Sequence, residues 1–156
     1  MENMNWEHPS IRPFRSADRT DVIELWYRAG LVRPWNNPDA DIYRKLKVDP
    51  ELFLVALLNE KLVATVMGGY DGHRGWINYL ATDPEHRNLG IARQLVQHLE
   101  AELLKRGCPK INLQIRTENQ EVRAFYEHLG YSVDAAISMG KRIIPDSDPQ
   151  IAPQDR

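Results

Sequence analysis

Arg87-Asn88-Leu89-Gly90-Ile91-Ala92 lies between an apolar run, Trp76 to Ala81, and an amphipathic segment that starts at Gly90. A strand, a tight turn with a small residue at its bend and then a helix make an anion site. The first N–H groups of a helix have no acceptor inside it. They point outward together, at the positive end of a macrodipole worth about half a charge. Phosphates bind at such ends. Gly90 lets the main chain approach a ligand, Ala92 leaves the first turn unobstructed and Arg87 adds a full positive charge. Gly90 is not followed by Gly-Lys-Ser/Thr, so a P-loop nucleotide site fits poorly. An ordinary polar strand-to-helix loop would also look like this, so the hexapeptide alone is weak evidence.

A second group with chemical potential is Asn119 to Tyr131. Val122, Phe125, Tyr126 and Leu129 recur at helical spacing and make one buried stripe. Among them Tyr126 carries a hydroxyl, and a buried tyrosine keeps a polar tip. No metal site is expected, because histidines 8, 73, 86, 98 and 128 never fall at ligand spacing. Cys108, the single cysteine, follows Gly107 after a helix and reads as a packing residue rather than a nucleophile. With one cysteine no internal disulfide can form, which suits a reducing, cytoplasmic setting.

The elements that must position these groups can be read from periodicity. Ile11–Phe14 is a short strand, and Ser16 or Asp18 caps a helix through Ala29 with Val22, Leu25 and Trp26 inward. Asn37-Pro38 caps a second helix, with Pro38 at its first position, running to about Lys47 with Ile42 and Leu46 inward. Leu52–Leu58 and Leu62–Tyr70 form a hairpin around Asn59-Glu60, and Trp76–Thr82 is the next strand. A long helix spans Gly90–Arg106, Lys110–Arg116 alternates as a strand, and Asn119 opens a helix that Gly130 stops. Tyr131–Val133 and Ala136–Lys141 read as final short strands. The strand–helix–strand unit at 76–116 implies a parallel pair, while the earlier strands are antiparallel. The fold class is therefore mixed α/β (α+β), with a mostly antiparallel sheet and helices on both faces.

At 156 residues the chain suits one domain, and 42% hydrophobic with 27% charged residues is ordinary globular composition. The domain is expected at 11–142, with a polar extension at 1–10 and a loose, proline-rich tail at 145–156. A net charge of −2 argues against nucleic acid as the main partner. No apolar run approaches the roughly 20 residues a membrane span needs.

With these elements in order, the chain resembles the GCN5-related N-acetyltransferases, the GNAT family. Arg87-Asn88-Leu89-Gly90-Ile91-Ala92 is similar to that family's Gln/Arg-x-x-Gly-x-Gly/Ala signature, and Asn119 to Tyr131 resembles its second block. Leu31–Asp41, Val66–Gly75 and Arg106–Ile111 are similar to the YpeA-type bacterial acetyltransferases. The resemblance implies acetyl-CoA as cosubstrate, no metal, an amine acceptor, and a monomer or homodimer. It implies that the two parallel strands splay, with the pantetheine arm in the gap beside Leu80, Ala81 and Thr82. The pyrophosphate would rest on the main chain of Arg87, Asn88, Leu89, Gly90, Ile91 and Ala92. Asn119 would hold the other side of the cofactor, and Tyr126 would protonate the departing thiolate. The acceptor would lie between Arg33, Trp35 and Asn36 on one side and Asp71 and His73 on the other. Arg33 beside Trp35 would suit a carboxylate or planar group; the alternative is a surface loop in which Trp35 plugs the core. Relatives that acetylate a ribosomal protein's N-terminus carry a glutamate at the position of Gln114, which cannot take a proton. Glu85, Asp71, His73 and Tyr79 are then the candidate bases. A second class of function is a catalytically silent acyl-CoA-binding module.

Overall fold

The computed structural model describes residues 8–145. The expectations for the terminal extension and tail fall almost wholly outside that range. Five strands and four helices follow one another: β1 Ser10–Pro13, α1 Arg19–Arg28, α2 Pro38–Lys45, β2 Phe53–Leu58, β3 Lys61–Tyr70, β4 Gly75–Thr82, α3 Ile91–Lys105, β5 Ile111–Leu113 and α4 Gln120–His128. The strands form one sheet in the order β1-β2-β3-β4-β5. The first four are antiparallel, and β4 and β5 are parallel. The mixed, mostly antiparallel sheet with a parallel pair is the expected class.

Local chemistry sets the joints. Asn59 and Glu60 both take positive φ, 51° and 65°, the pattern of a two-residue hairpin turn whose twist matches its strands. β3 is central and buried along most of its length, and both faces are covered. On one face Leu95, Val96, Leu99 and Leu103 of α3 pack with Leu54, Val66 and Ile77, and α4 adds Tyr126. On the other, Val22, Leu25 and Trp26 of α1 and Ile42 of α2 pack with Phe53, Val55 and Met67. The Leu99 side chain lies so close to Gly68 that a Cβ there would come within 2.3 Å of it. This lets α3 lie directly on β3. Cys108 is buried, and its Sγ would sit 2.9 Å from a Cβ on Gly75, so it does fill the space beside the start of β4.

Three readings need correction. Residues 131–141 contain no strand. Side chains hold this segment beside β5: Asp134 accepts from Lys110 at 2.8 Å and from Asn112 at 2.7 Å, and Gln114 Nε2 donates to the Ser138 hydroxyl. Alternating residues there mimic a strand without a ladder partner. The second helix stops at Lys45, and Leu46 just beyond it is exposed rather than inward. The strand read at 110–116 is a ladder only at Ile111–Leu113, which bears directly on the site.

Among the described residues, no helix is long and apolar enough to cross a membrane. No group of three or more His, Cys, Asp or Glu there is placed to hold a metal ion.

Candidate functional site

β5 pairs with β4 only from Gly75 to Ile77, through Ile111, Asn112 and Leu113. β4 continues to Thr82 with no strand on that side. The reason lies in the middle of β4. Across β3, Met67 faces Asn78 and Thr65 faces Ala81, so two residues, Tyr79 and Leu80, oppose Val66 alone. This is a β-bulge, which bends its strand and breaks the ladder. Tyr79 takes φ 50°, an uncommon backbone state for an aromatic residue. Three contacts hold it there. Its ring stacks on Trp26 at 3.9 Å, its carbonyl accepts from Thr65 Oγ1 at 3.0 Å, and that hydroxyl accepts from Trp26 Nε1 at 2.9 Å.

The split opens a cleft of about 1320 Å³. That exceeds the roughly 300–1,000 Å³ of ordinary small-molecule pockets, and suits a long ligand. Leu80, Ala81, Thr82, Arg87, Asn88, Gly90, Ile91, Ala92, Asn119 and Tyr126 all line it. Leu89 does not; it is exposed beside the turn.

The turn into α3 is built to leave amides open. Asp83, buried, accepts from Glu85 N at 3.1 Å and lies 3.3 Å from Arg28. Burial works against its charge, but the Glu85 amide and the nearby Arg28, His86 and Lys61 side chains outweigh it and hold the carboxyl below its usual range. Asn88 and Gly90 then take φ 63° and 76°. Gly90 is the N-cap and offers no side-chain acceptor, and α3 carries no acidic residue in its first turn. The first intrahelical bond runs from Gln94 N to Gly90 O, so the amides before Gln94 face the cleft end without helix partners. Arg93 also lines the cleft there and adds to Arg87; the sequence reading missed it. A side chain at Gly90 meets no atom within 4 Å, so only the backbone resists substitution. Gly90→Val should fold, yet shift this turn from its left-handed state and weaken coenzyme A binding by about tenfold, the equivalent of the roughly 1–2 kcal/mol that state costs. Calorimetry with coenzyme A checks this; unchanged affinity would show that the turn does not hold the diphosphate.

Asn119 has two roles available. Its Oδ1 caps α4 by accepting from Val122 N at 3.3 Å, which leaves its Nδ2 as a donor. Tyr126 is buried, edge-on to the rings of Phe125 and Tyr131. Burial pushes its phenol well above the usual tyrosine range. Among the described residues its hydroxyl has no hydrogen-bond partner, and it lies on the cleft.

At the other end of the cleft stand Arg33, Trp35 and Asn36. Asn36 Oδ1 accepts from Arg33 N at 2.7 Å, and Asn36 Nδ2 donates to the Tyr79 hydroxyl at 2.8 Å. That hydroxyl donates in turn to Asp41 Oδ2 at 2.5 Å. Trp35 is 45% exposed, so it does not plug the core. Arg116, from beyond β5, lies over its ring at 4.8 Å. Asp41, Arg44 and Arg116 were not singled out as site residues from sequence.

Asp71 and His73 are not brought to the cleft. They occupy the hairpin before β4, at the opposite end from Thr82. There Asp71 accepts from His73 N, Arg74 N and Trp76 Nε1 at 2.8, 2.7 and 3.2 Å. These donors, the Arg74 amide first, hold its carboxyl below its usual range, the wrong direction for a base. Glu85 lies in the turn before α3 and does not line the cleft. Tyr79 lines it, but burial and the Asp41 carboxylate push its hydroxyl well above the usual range, so it does not serve as a base by itself. Asp41 is the carboxylate that lines the acceptor end.

The Acetyltransferase (GNAT) family matches residues 19–131. An acetyltransferase of Pectobacterium atrosepticum is 51% identical over 138 residues, 88% of this chain and 98% of that protein. One of Sodalis glossinidius is 50% identical over 139 residues, with the same shares covered. Among solved structures, Ard1 from Thermoplasma volcanium superposes with a TM-score of 0.74 at 23% identity, over 81% of this chain and 84% of that one. Chaetomium thermophilum Naa20, solved with a bisubstrate analogue, superposes at 0.65 with 26% identity, over 80% and 71%. Split sheet, open helix end and sequence kinship agree: the chain belongs to the GNAT family of acetyltransferases, and is an acyltransferase.

Proposed function

We propose that this protein is an acetyl-CoA-dependent N-acetyltransferase that moves an acetyl group directly onto a primary amine of a small molecule or peptide, in the cytoplasm. The observation that carries the reading is the split between β4 and β5. It has uncapped α3 amides at one end and the Tyr126 hydroxyl within it. The residues present suit the cofactor. Arg87, Arg93 and the amides of Gly90 to Ala92 would take its diphosphate, and the free edge of β4 would take its pantetheine amides.

Bound acetyl-CoA supplies an acyl thioester. The protein's share is as follows. Main-chain N–H groups near Leu80 and Ala81 would donate to the thioester oxygen as it gains charge; one such donor contributes about 3–4 kcal/mol. Tyr126, whose phenol is protonated at neutral pH like that of any tyrosine, would give a proton to the leaving sulfur. An amine of pKa near ~10.4 must arrive neutral or lose a proton. Asp41 and the Tyr79 hydroxyl stand where the acceptor enters, and would receive that proton through water. Trp35, beside them, would shield the site. The bacterial relatives are named acetyltransferases without an acceptor, so they supply no substrate.

The test has two steps. Calorimetry should show stoichiometric coenzyme A binding. A thiol-release assay with acetyl-CoA and a panel of amines should then show turnover. Binding without turnover on any amine would favour a silent acyl-CoA module and sink the enzymatic reading.

A further inference from the structure

We propose that the acceptor is a small amine bearing a free carboxylate, an amino acid or short peptide, held at the cleft mouth by Arg33 and Arg116. This rests on acetyl transfer occurring in the cleft, and adds what is transferred to.

The charge at the acceptor end is lopsided. The carboxylate beside Tyr79, Asp41, is already engaged, by Arg44 at 2.6 Å and by the Tyr79 hydroxyl at 2.5 Å. Arg33 and Arg116 also line this end, and among the described residues neither has a carboxylate within ion-pair distance. Several arginines outside the cleft do have acidic partners: Arg12, Arg19, Arg28, Arg106 and Arg123. Two unmatched guanidinium groups at the mouth of a binding cleft favour a negative ligand.

Geometry narrows the class. Arg116 lies over the Trp35 ring at 4.8 Å. Stacking occupies the face of a guanidinium and leaves its edge of N–H donors open, the edge that matches a planar carboxylate in two parallel bonds. Stacking also removes part of the side chain's freedom before any ligand arrives. Arg33 sits two residues from the same tryptophan, in a turn pinned by its own N–H to Asn36 Oδ1. The acceptor's amine would then lie towards Asp41 and Tyr79, and its carboxylate outward on the arginines. The same field disfavours polycationic amines.

Thiol release should be measured on matched acceptors: free amino acids and dipeptides, their C-terminal amides, simple alkylamines and spermidine. Free acids should exceed their amides in kcat/KM by at least about tenfold, as expected of one charge-assisted contact of roughly 1.5–3 kcal/mol. Comparing amino acids with dipeptides separates the two carboxylate sources. Arg33→Gln and Arg116→Gln should each erase most of this preference through KM, with coenzyme A affinity unchanged. Turnover of amides, alkylamines or spermidine equal to that of the acids would overturn this inference and leave acetyl transfer standing. So would a preference for acids that survives in both variants. No turnover with any amine, alongside intact coenzyme A binding, would remove both readings.

Discussion

Tyr126→Phe should lower kcat by about 10²–10⁴-fold, the usual contribution of a positioned general acid, and leave the Kd for coenzyme A unchanged. The substitution is unusually clean. Among the described residues the Tyr126 hydroxyl bonds to nothing, so phenylalanine breaks no contact of the fold. The ring keeps its edge-on packing with Phe125 and Tyr131. The loss must then come from the hydroxyl's role towards the ligand. Chemical denaturation should give wild-type stability, and calorimetry wild-type coenzyme A affinity. Turnover equal to wild type in the thiol-release assay would reject the proton-donating role. The departing thiol would then have to take its proton from water.

The donor half of the site was legible in the sequence because it is local. A turn whose bend needs positive φ asks for Gly90, and an amphipathic run announces α3; both signals lie within a few residues of each other. Tyr126 was legible as a hydroxyl on an apolar stripe. The acceptor half was legible only in part, at Arg33, Trp35, Asn36 and Tyr79, because it is assembled across the fold. Asp41 meets Tyr79 from 38 positions away, and Arg116 meets Trp35 only because β5 diverges. The bulge itself has no signature: an aromatic at positive φ looks like any strand residue. Asp71 and His73 drew attention as polar residues between glycines. Their exclusion follows from topology, since they precede β4 and the turn into α3 follows it. The eight residues of β4 separate the two by roughly 25 Å at about 3.3 Å per residue. The strands read at 131–141 failed for the opposite reason. Alternation there was a local signal with no neighbour to pair with.

Trp26→Ala should have the largest effect on stability, and should damage the cleft as well. Trp26 is fully buried, and removing such a side chain costs about 3–5 kcal/mol. That is a large part of the roughly 5–15 kcal/mol that holds a domain together. The more specific consequence concerns the bulge. Trp26 supplies the ring on which Tyr79 stacks, and its indole N–H orients the Thr65 hydroxyl that grips the Tyr79 carbonyl. Without both, Tyr79 is free to leave φ 50° for extended geometry. Relaxing a bulge shifts the strand beyond it by one residue, and a one-residue shift turns every following side chain to the other face. Leu80 to Thr82 would then present different groups to the cleft. Trp26→Phe separates the two roles in part, because it keeps a stacking ring while losing the indole donor and some buried volume, a change of roughly 1–3 kcal/mol. Urea unfolding should rank wild type above Trp26→Phe, and Trp26→Ala well below both. Coenzyme A affinity of the folded alanine variant, measured at low temperature, should fall, while that of Trp26→Phe stays near wild type. If the alanine variant bound coenzyme A normally, the bulge would have to be held by β3 and β4 themselves, and the split between β4 and β5 would owe nothing to α1.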